Sequence, residues 1–66
     1  MYDLIIYFTD NRYTIIHNVS NYCWEDANSV VTVEADKRRL FFNMSHVKCI
    51  VRVDEMGVKY EPGLRK

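Results

Sequence analysis

The stretch Val30-Val31-Thr32-Val33-Glu34-Ala35 decides the fold, because β-branched residues fill it and its side chains alternate between apolar and polar. A period of two is typical of a strand with one buried face, whereas an amphipathic helix repeats every 3.6 residues. Asp36-Lys37-Arg38 supplies turn residues, and the chain returns through Arg39-Leu40-Phe41-Phe42, which is apolar from Leu40 onward. This stretch therefore predicts a β-hairpin.

The same period of two continues on both sides of this hairpin. Leu4, Ile6 and Phe8 share one face, which turns Ile5 and Tyr7 to the other. The Asn and Ser residues of 18–20 predict a bend or bulge within one long strand rather than its end. Strands are predicted at 3–8, 13–17 with a continuation to 24, 30–35, 39–42 and 47–53, and a single helical turn at 43–46 that Asn43 or Ser45 can cap.

These elements predict an all-β fold, a small five-stranded antiparallel barrel with one short helical turn before the last strand. Sixty-six residues make one domain, which we expect over 1–56. The segment 57–66 holds both glycines and the only proline, and we expect a C-terminal tail there. A folded chain of this mass exposes roughly 4,400 Å² and has a small core, so we expect self-association.

The order of four strands, a helical turn and a fifth strand resembles the Sm-like and Src-homology-3-like barrels. Asn18-Val19-Ser20-Asn21-Tyr22, the "VxV" strand and the close His46-Val47-Lys48-Cys49-Ile50-Val51 also resemble segments of small proteins from bacteriophages and mobile elements. The resemblance implies this barrel fold and a phage-encoded protein in the cytoplasm of the host cell. The Asn-Gly and Arg-Gly signatures of RNA-contacting Sm-like proteins do not occur in the sequence.

The composition argues against several classes of protein. Nine basic and nine acidic residues give zero net charge, unlike a strongly basic nucleic-acid binder. The hydrophobic content of 48% and aromatic content of 14% argue against disorder. No apolar run approaches the roughly 18 residues of a membrane helix. The acidic start at Asp3 is unlike a secretion signal, so we expect a cytoplasmic protein with free thiols.

Metal and catalytic sites are not predicted. His17, Cys23, His46 and Cys49 are the only nitrogen or sulfur ligands for a metal. The spacing of His46 and Cys49 suits zinc, but the sequence has no Cys-x-x-Cys knuckle. It also has no glycine-rich phosphate loop and no recognisable nucleophile context. We therefore expect no metal, no cofactor and no enzymatic activity.

The basic cluster Lys37-Arg38-Arg39 is the first candidate site. Arginine presents a planar set of donors that suits phosphate oxygens, so the cluster could bind a phosphate or another anion. Arg12 and Arg52 could join it. The alternative interpretation is a solvated turn whose charges protect a strand edge from aggregation.

The aromatic residues are the second candidate site, because nine of them exceed what a small core can enclose. Phe41 and Phe42 are adjacent and must face opposite ways on a strand. Exposed aromatic surface favours a subunit interface, a protein partner or base stacking, and the alternative is that the barrel itself covers it. The predicted contact surface consists of Tyr7, Tyr13, Tyr22, Trp24 and Phe42.

Together these features predict a non-enzymatic binding module. The first hypothesis is a phage-encoded homo-oligomeric inhibitor or sponge, which captures a host protein or a small charged, nucleotide-like ligand and has no membrane partner. The alternatives are an Sm-like nucleic-acid-binding protein, which the neutral charge does not favour, and a small structural or assembly protein.

Overall fold

A computed structural model describes residues 1–54 and 57–62 of the chain, except for the side chains of 58–60. Most of the described chain is β-strand, which confirms the all-β class. Its strands are β1 (Tyr2–Phe8), β2 (Tyr13–Glu25), β3 (Val30–Ala35), β4 (Arg38–Asn43), β5 (Val47–Asp54) and β6 (Gly57–Pro62).

The six strands form one antiparallel sheet in the order β4-β3-β2-β1-β5-β6. The predicted closed five-stranded barrel is therefore wrong. A barrel closes only when its two edge strands pair, and here β4 and β6 lie at opposite ends of the order. A sixth strand has been added at the β5 edge, and the sheet stays open.

The sixth strand lies where the sequence predicts a tail. Residues 57–62 pair with β5 from Asp54↔Gly57 to Cys49↔Pro62. Gly57 has φ +123°, in the region that L side chains rarely adopt, and it therefore allows the chain to reverse there. Residues 63–66, the rest of the expected tail, lie outside the described residues.

Two 3₁₀ turns connect the strands of the second half. The predicted helical turn is confirmed at Met44–His46, where Asn43 Oδ1 accepts a hydrogen bond from the Ser45 amide at 3.0 Å. It precedes β5, which is not the last strand. The other turn spans Asp26–Asn28 and joins β2 to β3.

The long strand β2 changes phase at the predicted bend. Asn18 has φ 58°, and the pairing with β3 shifts between Val19 and Asn21. Consequently the inward-facing residues of β2 are two positions apart at both ends of the strand but three positions apart on either side of Val19. They are Thr14, Ile16, Val19, Tyr22 and Trp24.

The core fills the inner face of the bent sheet. Leu4 and Ile6 of β1 are fully buried, as are Val31 and Val33 of the stretch that decides the fold. The whole chain nevertheless exposes 4840 Å², more than the roughly 4,400 Å² expected for its mass. An open sheet leaves part of its apolar surface in contact with solvent.

Candidate functional site

An apolar surface lies on the outer side of strands β2, β1 and β5, and we call it the outer face. Cross-strand pairing aligns Tyr13 with Tyr7, and Ile15 with Ile5. β5 extends both of these cross-strand rows, because Cys49 pairs with Tyr7 and Val51 with Ile5. The outer face consists of Ile5, Tyr7, Tyr13, Ile15, Cys49, Val51 and Val53.

Four residues of the outer face are unusually accessible for apolar side chains. Tyr13 is 61% exposed, Ile15 47%, and Tyr7 and Val53 slightly less than 40%. The Tyr7 and Tyr13 rings lie against each other with centroids 5.8 Å apart. Contiguous exposed apolar surface of this kind marks an interaction site more often than scattered single residues do.

Charged groups border the outer face at both ends. His17 Nδ1 lies 3.2 Å from Asp3 Oδ2 at one end. In the β1–β2 turn, at the other end, Arg12 Nε lies 3.7 Å from Asp10 Oδ2. The face therefore has an apolar centre between two polar rims, which is the usual anatomy of a protein interface.

The outer side of β3, β4 and the second half of β2 is polar instead. Glu25 accepts hydrogen bonds from the Thr32 hydroxyl and from the Asn28 amide, and these bonds lower the pKa of its carboxyl. Arg39 and Glu34 form an ion pair at 2.7 Å. Because the bend in β2 separates the two outer surfaces, the apolar one is confined to a single side of the molecule.

One carboxylate joins β6 to the second half of β2. Glu61 Oε2 accepts from the Tyr22 hydroxyl and Glu61 Oε1 from Trp24 Nε1, both at 2.5 Å. Two strands, β1 and β5, lie between β2 and β6 in the sheet. The Glu61 side chain therefore connects β6 to β2 without backbone hydrogen bonds between these two strands. We call it the Glu61 bridge.

Burial and the Glu61 bridge both favour the neutral form of Tyr22. Burial and the hydrogen bond to Glu61 raise the pKa of Tyr22 above its ordinary value. Burial also raises the pKa of Tyr2, whose ring meets that of Tyr22 edge-on at 6.2 Å. The guanidinium of Arg52 lies 4.0 Å above the Tyr2 ring centre and its Nε bonds Asp54 at 2.9 Å.

The five basic candidates occupy three positions rather than one patch. Asp36 and Lys37 both have positive φ, which makes a tight two-residue turn of type I′ with Lys37 at its tip and Arg38 and Arg39 at the start of β4. Arg12 lies in the β1–β2 turn and Arg52 on β5. Arg12, Arg39 and Arg52 each face a carboxylate, which reduces their charge available to an anion.

The five aromatic candidates divide between the two sides of the sheet. Tyr7 and Tyr13 belong to the outer face, whereas Tyr22 and Trp24 pack against the core. Phe42 also packs inward, against Phe8 with ring centroids 6.0 Å apart.

Sequence reasoning missed three residues that matter here. Phe41, not Phe42, is the exposed member of its pair, at 63%. Ile15 was assigned no role, although its position opposite Ile5 follows from the phase of the first hairpin. Glu61 lies in the expected tail, and no local pattern there indicates a contact with β2.

Within residues 1–54 and 57–62, no three His, Cys, Asp or Glu side chains converge to hold a metal ion. No helix there is long and apolar enough to cross a membrane. Both cysteines are free, Cys23 exposed and Cys49 buried on the outer face.

Comparison with protein-family models, curated proteins and solved structures finds no match to this chain.

Proposed function

We propose that this chain is a non-enzymatic binding module that works as a homo-oligomer, with the outer face as the contact between subunits. The observation that carries the proposal is the alignment of two apolar rows across β2, β1 and β5, with Tyr13 and Ile15 about half exposed. A monomer would hold these side chains in water, which is unfavourable by roughly 25 cal/mol per Å² of apolar surface.

A second copy is the occupant that suits this face. Two copies that pack face to face about a two-fold axis perpendicular to the strands bring the rim of each that contains Asp3 and His17 to the rim of the other that contains Asp10 and Arg12. Each rim then offers the other both a carboxylate and a nitrogen base, and the apolar rows meet at the centre of the interface. Sheets that pack in this way lie about 10 Å apart, close enough for Tyr13 and Ile15 to interdigitate.

The role that follows is to occupy a target rather than to transform it. We place the chain among phage-encoded inhibitors or sponges that capture a host protein or a small nucleotide-like ligand. The resemblance of Asn18 to Tyr22 and His46 to Val51 to phage proteins supports this origin. The order of β1 to β5, with a 3₁₀ turn before β5, supports a relationship to Sm-like and Src-homology-3-like architectures.

Light scattering with variants of the outer face tests the subunit contact. We expect the wild-type chain to have the mass of a dimer or larger oligomer, and Tyr13→Ser with Ile15→Ser to have that of a monomer with an unchanged circular dichroism spectrum. Phe41→Ser is the matched control, because Phe41 is as exposed as Tyr13 but lies on the polar side of the molecule. A monomeric wild type, or equal dissociation by both variants, would contradict the proposal.

A further inference from the structure

We propose that the free edge of β4 docks an extended acidic segment of a partner protein, which adds to the sheet as a strand antiparallel to β4. The site is separate from the outer face, and the proposal does not depend on self-association. Strand addition of this kind takes its affinity from backbone hydrogen bonds and its specificity from alternate side chains.

The first observation is that charges protect the β4 edge only at its start, at Arg38 and Arg39. Within residues 1–54 and 57–62, β4 pairs with β3 alone, in a ladder from Val30↔Asn43 to Ala35↔Arg38 without a bulge. Its six residues include no proline and no glycine. Natural proteins usually protect an edge with a proline, a bulge or charges along its length. The other edge strand, β6, ends with a proline.

The second observation is the exposed ring beside this edge. Phe41 is 63% exposed and lies between Arg39 and Asn43 on the outer side of the strand. Leu40 and Phe42 point to the inner side. A strand added next to β4 would place every second side chain on the outer side, and one of these would cover Phe41. An apolar residue is the complementary choice at that position.

The third observation is the charge at the start of β4. Lys37, Arg38 and Arg39 line a groove at this end of the sheet together with two carboxylates, Glu34 and Asp36, and outnumber them. In the described part of the chain Lys37 and Arg38 form no ion pair. Because the added strand runs antiparallel, its C-terminal end lies beside this cluster. Acidic residues are therefore expected at that end of the segment.

The same charges argue against a second copy at this edge. Arg38–Asn43 contains no acidic residue, so a second β4 could not neutralise the arginines of the first. A segment with two or three carboxylates can do so while it retains the backbone ladder. The occupant that fits the edge, the ring and the charges is an acidic extended peptide.

Fluorescence anisotropy with labelled peptides tests the proposal. The probe is an eight-residue peptide of alternating valine and threonine that ends in three glutamates, and its control ends in three lysines. We expect the glutamate peptide to bind at least about tenfold more tightly, a difference of about 1.4 kcal/mol. Methylation of alternate backbone nitrogens, on the side that faces β4, should abolish binding. Equal binding of both peptides, or none, would overturn the proposal.

Three variants locate the binding site. Arg38→Glu should reverse the preference between the two peptides, and Phe41→Ser should weaken binding of the glutamate peptide severalfold. Tyr13→Ser with Ile15→Ser should leave peptide binding unchanged, which separates this proposal from the proposed subunit contact. Circular dichroism establishes that each variant folds. If Arg38→Glu leaves the peptide preference intact, or alters the mass in solution instead, then the edge is not a peptide site.

Discussion

The Glu61 bridge predicts that one side chain near the end of the described chain contributes much of the stability of the open sheet. Glu61→Ala removes the acceptor for both the Tyr22 hydroxyl and Trp24 Nε1. A hydrogen bond to a charged group contributes about 1.5–3 kcal/mol, but half-buried donors regain some bonding to water. We therefore expect a loss of about 2–3 kcal/mol in the free energy of unfolding.

A loss of this size is large for a small domain. About 1 kcal/mol shifts the melting temperature of a chain of 60–100 residues by roughly 4–8 °C, so Glu61→Ala should melt roughly 8–24 °C lower. Glu61→Gln keeps one oxygen acceptor without the charge, and it should fall between the wild type and Glu61→Ala. Both variants are measured at one protein concentration, because association alters apparent stability.

Urea unfolding followed by tryptophan fluorescence is the assay. Trp24 is the only tryptophan, and its indole nitrogen is part of the bridge, so its emission reports directly on this contact. Glu34→Ala is the control, since it breaks an exposed ion pair with Arg39 that contributes about 0.2–1 kcal/mol. If Glu61→Ala destabilises no more than Glu34→Ala, then the Glu61 bridge does not hold the sheet together.

Four other perturbations test the fold and the turns. The pKa of Tyr22 is higher in the folded chain than the ordinary value of about 10, so neutral Tyr22 stabilises the fold fully below about pH 10. This contribution to the free energy of unfolding is lost as the pH rises further. Tyr22→Phe should reduce the loss of stability in urea titrations at alkaline pH. Val33→Asp should unfold the protein, because it places a charge at a fully buried position, and a native circular dichroism spectrum would refute this. Replacement of 37–39 by three alanines should change the free energy of unfolding by no more than about 0.5 kcal/mol per site, and unfolding at 25 °C would show that the cluster is structural. Asn43→Ala should cost about 1 kcal/mol, measured by urea titration, because the 3₁₀ turn loses its cap.

The sequence alone predicts the strands whose side chains alternate between apolar and polar residues. β3 begins and ends where predicted, because β-branched residues and a tight turn define it locally. The bend in β2 was predictable too, since asparagine tolerates the positive φ that Asn18 adopts. The inward positions of Leu4 and Ile6 follow from the same alternation.

The features that the sequence could not supply depend on contacts between distant residues. The Glu61 bridge joins residues far apart in the chain, so no local pattern indicates it. The pairing of β6 with β5 is local and was missed, although Val58 and Tyr60 alternate with Lys59 and Glu61. The orientation of Phe41 and Phe42 was ambiguous, because the run from Leu40 to Phe42 is apolar throughout and therefore shows no alternation. Whether an antiparallel sheet closes depends on twist and on edge pairing, which no single strand encodes.

The phase changes of β2 have a consequence for how this protein can evolve. Around Val19 the inward-facing residues of β2 are three positions apart instead of two. The strand therefore has an apolar outer side before the bend and a polar outer side after it. Loss of one residue between 18 and 21 would rotate the remainder of the strand by half a turn and exchange its inner and outer side chains. Substitutions can thus alter either outer surface independently, whereas the number of residues in the bend must stay fixed. Relatives of this chain should vary freely at position 23, keep an apolar residue at position 15, and carry no insertion or deletion at the bend.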